Sequence, residues 1–195
     1  MKLKKVIITG GPGTGKTSII KELKKRGYFC YDEIWDKKYE NPSKNSNSDN
    51  IVFFSEYLFF ERLKNLENNQ NIQTKNNLIF FDRSIIDTIS YLITYKKNVE
   101  KKWIKISNEK RYYKNVFLCP SWKNIFESTD RRKETFDESI LIEKYLKSTY
   151  KDFGYETIEI PKDDIKKRVD FILKTLWKKS FFLAPLISEL NQWMK

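Results

Sequence analysis

Histidine is absent from the 195-residue chain, and cysteine occurs only twice, at Cys30 and Cys119. Without histidine the chain has no serine–histidine or cysteine–histidine hydrolase chemistry, and most zinc sites are excluded with it. Two cysteines in apolar, strand-like segments read as buried free thiols rather than a disulfide framework or a metal site. Long hydrophobic runs are missing too. The longest wholly apolar stretch, Phe181–Ile187, is far too short to span a bilayer, and Val6–Ile8 is too brief for the apolar region of a signal peptide. The expectation is a cytoplasmic protein with one α/β domain.

The charge is one-sided, with 38 basic against 26 acidic residues and a net +12. Only seven of the 38 are arginine. Lysine so abundant, in a chain also rich in asparagine, reads as solvated helix faces, so nucleic acid is not expected as a partner. In such a background an arginine marks a place where a planar, forked donor is needed.

Apolar runs at Lys4–Thr9, Tyr28–Tyr31, Leu78–Phe81, Val116–Cys119 and Thr157–Ile160 read as five strands. Helical periodicity between them predicts helices over about 16–26 and 51–66, from Ile85 onward, from a Thr135–Glu138 capping box onward, and along 165–176. Alternation of this kind implies a three-layer α/β/α fold around a five-stranded parallel sheet. The aromatic run Phe53, Phe54, Tyr57, Phe59 and Phe60 is read as core.

Between the first strand and the first helix lies Gly10-Gly11-Pro12-Gly13-Thr14-Gly15-Lys16-Thr17, which fits G-x-x-x-x-G-K-[ST] in its required context. Glycines let the backbone fold around an anion, and the helix N-terminus adds positive potential. Gly11, Pro12, Gly13, Thr14, Gly15, Lys16, Thr17 and Ser18 are therefore expected to cradle a nucleoside triphosphate, most simply ATP. Lys16 would reach the β- and γ-phosphates and Thr17 would ligate Mg²⁺.

The third strand ends in Asp82, which is read either as a holder of the magnesium shell or as a helix N-cap. Arg83 follows and is a candidate for the second substrate's phosphate or polar groups. Asp87 and Tyr91 are read either as lining the same cleft or as an exposed acid and a packed ring. Glu33, ending the second strand, is a candidate acceptor for a hydroxyl proton or a surface charge. Arg131 and Arg132, in Asp130–Glu134, suit a lid over the transferring phosphoryl group, or a solvated charge run.

These segments resemble the AAA-type domain shared with the ribosylnicotinamide kinase part of NadR, a family of P-loop NTPases. The resemblance runs through Thr9–Thr17, Glu33, Phe81-Asp82-Arg83, Asp87, Tyr91, Asp130–Glu134 into Phe136, Tyr150, Gly154–Glu156, Pro161 and Arg168–Leu173, about residues 3–175. It implies an ATP-binding fold of nucleoside-monophosphate-kinase type, with a small-molecule acceptor such as a nucleoside, nucleotide or ribosylnicotinamide. It also admits a nucleotide-dependent switch or adaptor, since the family includes a trafficking protein resembling a phosphoinositide binder. The chain departs from the family in two places: Trp35, Asp36 and Lys37 stand where an arginine is expected, and Ser84 where glycine is common. Residues 1–177 are read as the domain, with a lid at about 121–136. Residues 178–195 form an amphipathic tail that would pack on the domain, on a second copy, or on a membrane surface.

Overall fold

Val6, Ile7 and Ile8 are wholly buried although they are consecutive, which requires apolar cover on both faces of their strand. The computed structural model describes residues 3–34, 48–68, 72–127 and 134–177, and it shows that cover. Five parallel strands, β1 (Lys4–Thr9), β2 (Phe29–Tyr31), β3 (Leu78–Asp82), β4 (Asn115–Leu118) and β5 (Glu156–Glu159), lie in the order β2-β3-β1-β4-β5. One face carries α1 (Lys16–Lys25) and α6 (165–177). Ile19, Ile20, Leu23, Val169, Ile172 and Leu176 pack there on Val6, Ile8, Phe80 and Phe117. The other face carries α2 (Ser48–Glu67), α3 (Ile85–Thr94), α4 (Lys101–Glu109) and α5 (Phe136–Asp152) over Ile7, Ile79, Phe81, Val116 and Leu118. Each large apolar side chain so buried contributes roughly 1.5–3 kcal/mol.

The expected strands and the three-layer fold are present. The Thr135–Glu138 capping box opens α5, with Thr135 N–H donating to Glu138 at 2.6 Å and Glu138 N–H to Thr135 at 3.2 Å. Helix α4 has no counterpart in the sequence reading, because among its nine residues only Trp103 and Ser107 are buried. The aromatic run is only partly core. Phe59 is buried against Trp103, with ring centroids 4.6 Å apart, whereas Phe53 is 60% exposed. Both cysteines are free and buried. Among the described residues no helix is long and apolar enough to cross a membrane.

The topology also sets the location of the site. The chain leaves β1 for β2, returns to β3 beside β1, and then crosses to β4 on β1's other side. Crevices in parallel sheets open at such switch points, outside the carboxyl ends of the strands.

Candidate active site

The phosphate loop leaves β1 at that edge. Gly10 takes φ +142°, and a Cβ there would sit 2.4 Å from the carbonyl oxygen of Cys119, which belongs to backbone and cannot yield. Gly10→Ala is therefore expected to cost at least about 2 kcal/mol of stability, measured by urea denaturation. A loss below about 0.5 kcal/mol would contradict this packing.

The loop's carbonyls are occupied by side chains. Arg83 Nη1 donates to Gly10 O at 3.1 Å, Lys16 Nζ and Thr14 Oγ1 to Gly11 O at 2.7 and 2.9 Å, Ser139 Oγ to Pro12 O at 2.9 Å, and Arg168 Nη2 to Thr14 O at 3.1 Å. The described peptides are all trans, so a carbonyl held on one side turns the next N–H to the other. Helix α1 begins at Gly15 with no side-chain cap, which leaves its first N–H groups available to an anion. Thr17 and Ser18 are exposed there, while Lys16 is buried. Burial, and then the nearby Arg83 guanidinium, push the Lys16 amine down to about 8, against the pull of Glu33 and Asp82.

Asp82 closes β3, in register with Ile8 just before the loop. It is not an N-cap. Ser84 takes that place at α3, with its side chain accepting from Ile86 N–H at 3.0 Å. Asp82 is buried, and its Oδ1 has no hydrogen-bond partner among the described residues. Burial first, and then the Glu33 charge, raise its carboxyl to about 6. A buried carboxylate oxygen without a donor, together with the exposed Thr17 hydroxyl, offers the hard oxygen ligands that Mg²⁺ takes alongside substrate phosphates. Among the described residues no group of three or more carboxylate, histidine or cysteine side chains could hold an ion without such phosphates.

Arg83 adopts a left-handed backbone, φ +74°, unusual for a non-glycine residue. Its N–H donates to Ile8 O at 3.0 Å, which anchors the turn. Its Nε reaches Glu33 Oε1 at 2.7 Å. Burial would raise the Glu33 carboxyl, but Arg83 and Lys16 outweigh it and hold the group down to about 2. Glu33 is therefore a fixed anion at the cleft, with a third of its side chain exposed.

Asp87 corrects one sequence reading: it is buried rather than an exposed acid, and its Oδ1 lies 3.7 Å from Arg83 Nη1. Its buried carboxylate accepts from Ser84 N–H at 2.8 Å, from Ser84 Oγ at 3.0 Å, and from the hydroxyls of Thr9 and Tyr150. It completes a capping box and ties β1, α3 and α5 together behind the loop. Tyr91 packs on Tyr95, with centroids 4.7 Å apart. Arg131, Arg132, Trp35–Lys37 and the tail lie outside the described residues.

Two buried arginines have no role in the sequence reading, which passes over Arg62 and names Arg168 only within the family resemblance. Arg62 of α2 donates to Thr88 Oγ1 at 2.7 Å and more weakly to Ser84 O, and its charge acts on Glu33 and Asp82. Arg168 of α6 lies against Gly15. Their rarity in a lysine-rich chain was the available signal.

Likeness to known proteins agrees with this geometry. The chain resembles deoxyadenosine kinase from M. mycoides, solved with bound dATP, at 18% identity and a TM-score of 0.64, covering 88% of this chain and 98% of that one. Thymidylate kinase from Candida albicans superposes at 13% identity and 0.62, covering 92% and 93%. NadR in complex with NR gives 15% and 0.63, covering 83% of this chain and 47% of NadR, so this chain spans about half of NadR's length. At such identities these likenesses speak for the fold, a kinase-like P-loop arrangement. No curated protein matches in sequence. A family model described as an AAA domain does match, over residues 5–168, and the chain belongs to that family of P-loop proteins.

Proposed function

We propose that the protein is a small-molecule kinase that transfers the γ-phosphoryl group of Mg-ATP to a hydroxyl of a nucleoside, nucleotide or ribosylnicotinamide-like acceptor. The observation that carries this reading is the Glu33–Arg83 ion pair, held at the mouth of the sheet beside the phosphate loop. A loop that only bound nucleotide would not need an ionised carboxylate and a guanidinium fixed together on the acceptor side.

In this reading the amides of Gly11, Gly13, Thr14, Gly15, Thr17 and Ser18 surround the phosphates, and Lys16 neutralises the β- and γ-oxygens. Thr17, and Asp82 through water, would hold Mg²⁺, which would supply positive charge to offset that developing on the phosphoryl oxygens. Arg83 orients the acceptor, and the Glu33 carboxylate accepts a hydrogen bond from its hydroxyl. The acceptor oxygen bonds to the γ-phosphorus as the bond from that phosphorus to the β–γ bridging oxygen breaks. ADP departs with the electron pair, and the hydroxyl proton leaves along the Glu33 hydrogen bond to water. A carboxylate held near 2 is a weak base, so Glu33 orients more than it deprotonates, which suffices for a loose phosphoryl-transfer transition state. Arg131 and Arg132 would close over the transferring group.

The test is ADP release across a panel of nucleosides, nucleotides and ribosylnicotinamide. Acceptor-stimulated turnover is expected, and Glu33→Gln should lower kcat by about 10²-fold, the cost of a misoriented acceptor, while leaving the Kd for Mg-ATP nearly unchanged. Nucleotide binding without stimulation by any acceptor would favour a nucleotide-dependent switch or adaptor instead.

A further inference from the structure

Arg168 is 1% exposed and carries a charge that an arginine cannot shed. Among the described residues its guanidinium makes one hydrogen bond, from Nη2 to the carbonyl of Thr14. Nε and Nη1 have no partner among the described residues, and no carboxylate there pairs with it. A buried, unpaired guanidinium is costly to a fold unless something compensates it. Its position indicates what does. Nη1 lies 2.7 Å from where a Gly15 side chain would begin, at the uncapped N-terminus of α1. The second positive element in the same place is therefore the row of open N–H groups that starts that helix. Two positive features converge on one spot, and among the described residues neither has an anion.

We infer that Arg168 is a positioning residue for nucleotide, which orients the Thr14–Gly15 peptide and whose charge is balanced only when a polyphosphate fills the loop. The first part follows from peptide geometry. Holding the Thr14 carbonyl against α6 turns the Gly15 N–H the opposite way, into the cradle. The second is electrostatic. Glycine at residue 15, with φ +83°, leaves room for the guanidinium to approach the loop from behind, where any side chain would exclude it. The cation then adds to the helix-terminus potential from a low-dielectric position where screening is weak. Arginine suits this better than lysine because one fork grips the carbonyl while the rest of its charge faces the loop.

This inference rests on nucleotide binding in the loop, and the experiment separates the two. Arg168→Met and Arg168→Lys are compared with the unmodified chain for melting temperature without ligand, and for the Kd values of Mg-ADP and Mg-ATP by calorimetry. Arg168→Met should melt, empty, at the same temperature or higher, because an apolar chain of similar length replaces an unpaired buried charge. Its Kd should rise about 30-fold, and equally for ADP and ATP, since the loop amides hold the α/β-phosphates common to both. Arg168→Lys should recover part of that loss, to within about tenfold of the unmodified chain. A lowered melting temperature with unchanged Kd in either variant makes the residue merely structural and overturns the inference. So does a loss confined to ATP. If Arg168→Met fails to fold, the Lys variant decides: a Kd equal to that of the unmodified chain overturns the inference, and a rise of several-fold supports it. No binding by the unmodified chain would remove the nucleotide reading itself.

Discussion

Lys16→Ala is expected to weaken Mg-ATP binding by about 100-fold, corresponding to roughly 3 kcal/mol, without lowering the melting temperature of the empty protein. The amine is buried and donates at 2.7 Å to Gly11 O, inside its own loop. Its value in the fold, about 8, lies below the ordinary 10.5, chiefly through burial and the repulsion of Arg83. The unfolded chain therefore binds the proton more tightly between those values. At pH 7 the buried ammonium costs the empty fold stability, and the cost fades as pH rises from about 8 toward 10.5. Removing it relieves that burial cost, which offsets the loss of its bond to Gly11 O and of its attraction to Glu33 and Asp82. A polyphosphate reverses the balance, because charge-assisted hydrogen bonds to two phosphate groups offset the burial. Calorimetry reads the Kd directly. An unchanged Kd would mean that nucleotide, if bound, does not lie in this loop.

The second large effect falls on the fold itself. Asp87→Ala should cost about 3–5 kcal/mol of a total that for such domains is about 5–15, measured as the shift of a urea transition. The lost carboxylate serves the buried hydroxyls of Thr9, Ser84 and Tyr150 and the N–H of Ser84. Alanine leaves the Ser84 N–H and the Thr9 hydroxyl without this acceptor and removes the anion 3.7 Å from Arg83 Nη1, while the Ser84 and Tyr150 hydroxyls, 2.7 Å apart, keep only each other. Asp87→Asn keeps one acceptor oxygen but turns an NH₂ group toward other donors, and should lose about half as much. Phosphate-loop function should suffer too, since Thr9 is the residue on which the loop starts. A shift below about 1 kcal/mol would show that water or rotated hydroxyls replace the carboxylate easily.

What could be read in the chain was local. The phosphate loop is legible because cradling an anion requires adjacent residues in a set order, and the flanking strand and helix are adjacent as well. Buried parallel strands announce themselves by consecutive apolar residues such as Val6–Ile8, and Asp82 and Glu33 were legible because they terminate such runs. The pattern Ser84-x-x-Asp87 is equally local, and its capping box could have been read from it. The helical spacing of Asp87 and Tyr91 suggested a cleft face instead, and only the packing of Tyr150 against Asp87 shows that the carboxylate is buried. In α2 eight of the ten residues from Ile51 to Phe60 are apolar or aromatic, so periodicity could not tell Phe59, stacked on Trp103, from the exposed Phe53.

By itself, then, the sequence determined the P-loop, the alternating strands and helices, and the acidic strand ends, because each depends on neighbours along the chain. The tertiary structure decided which arginines meet the loop, that Glu33 and Arg83 pair across 50 positions, and that Arg168 reaches Thr14 across 154. Contacts at that separation depend on how helices dock on the two faces of the sheet. No run of adjacent residues encodes that docking.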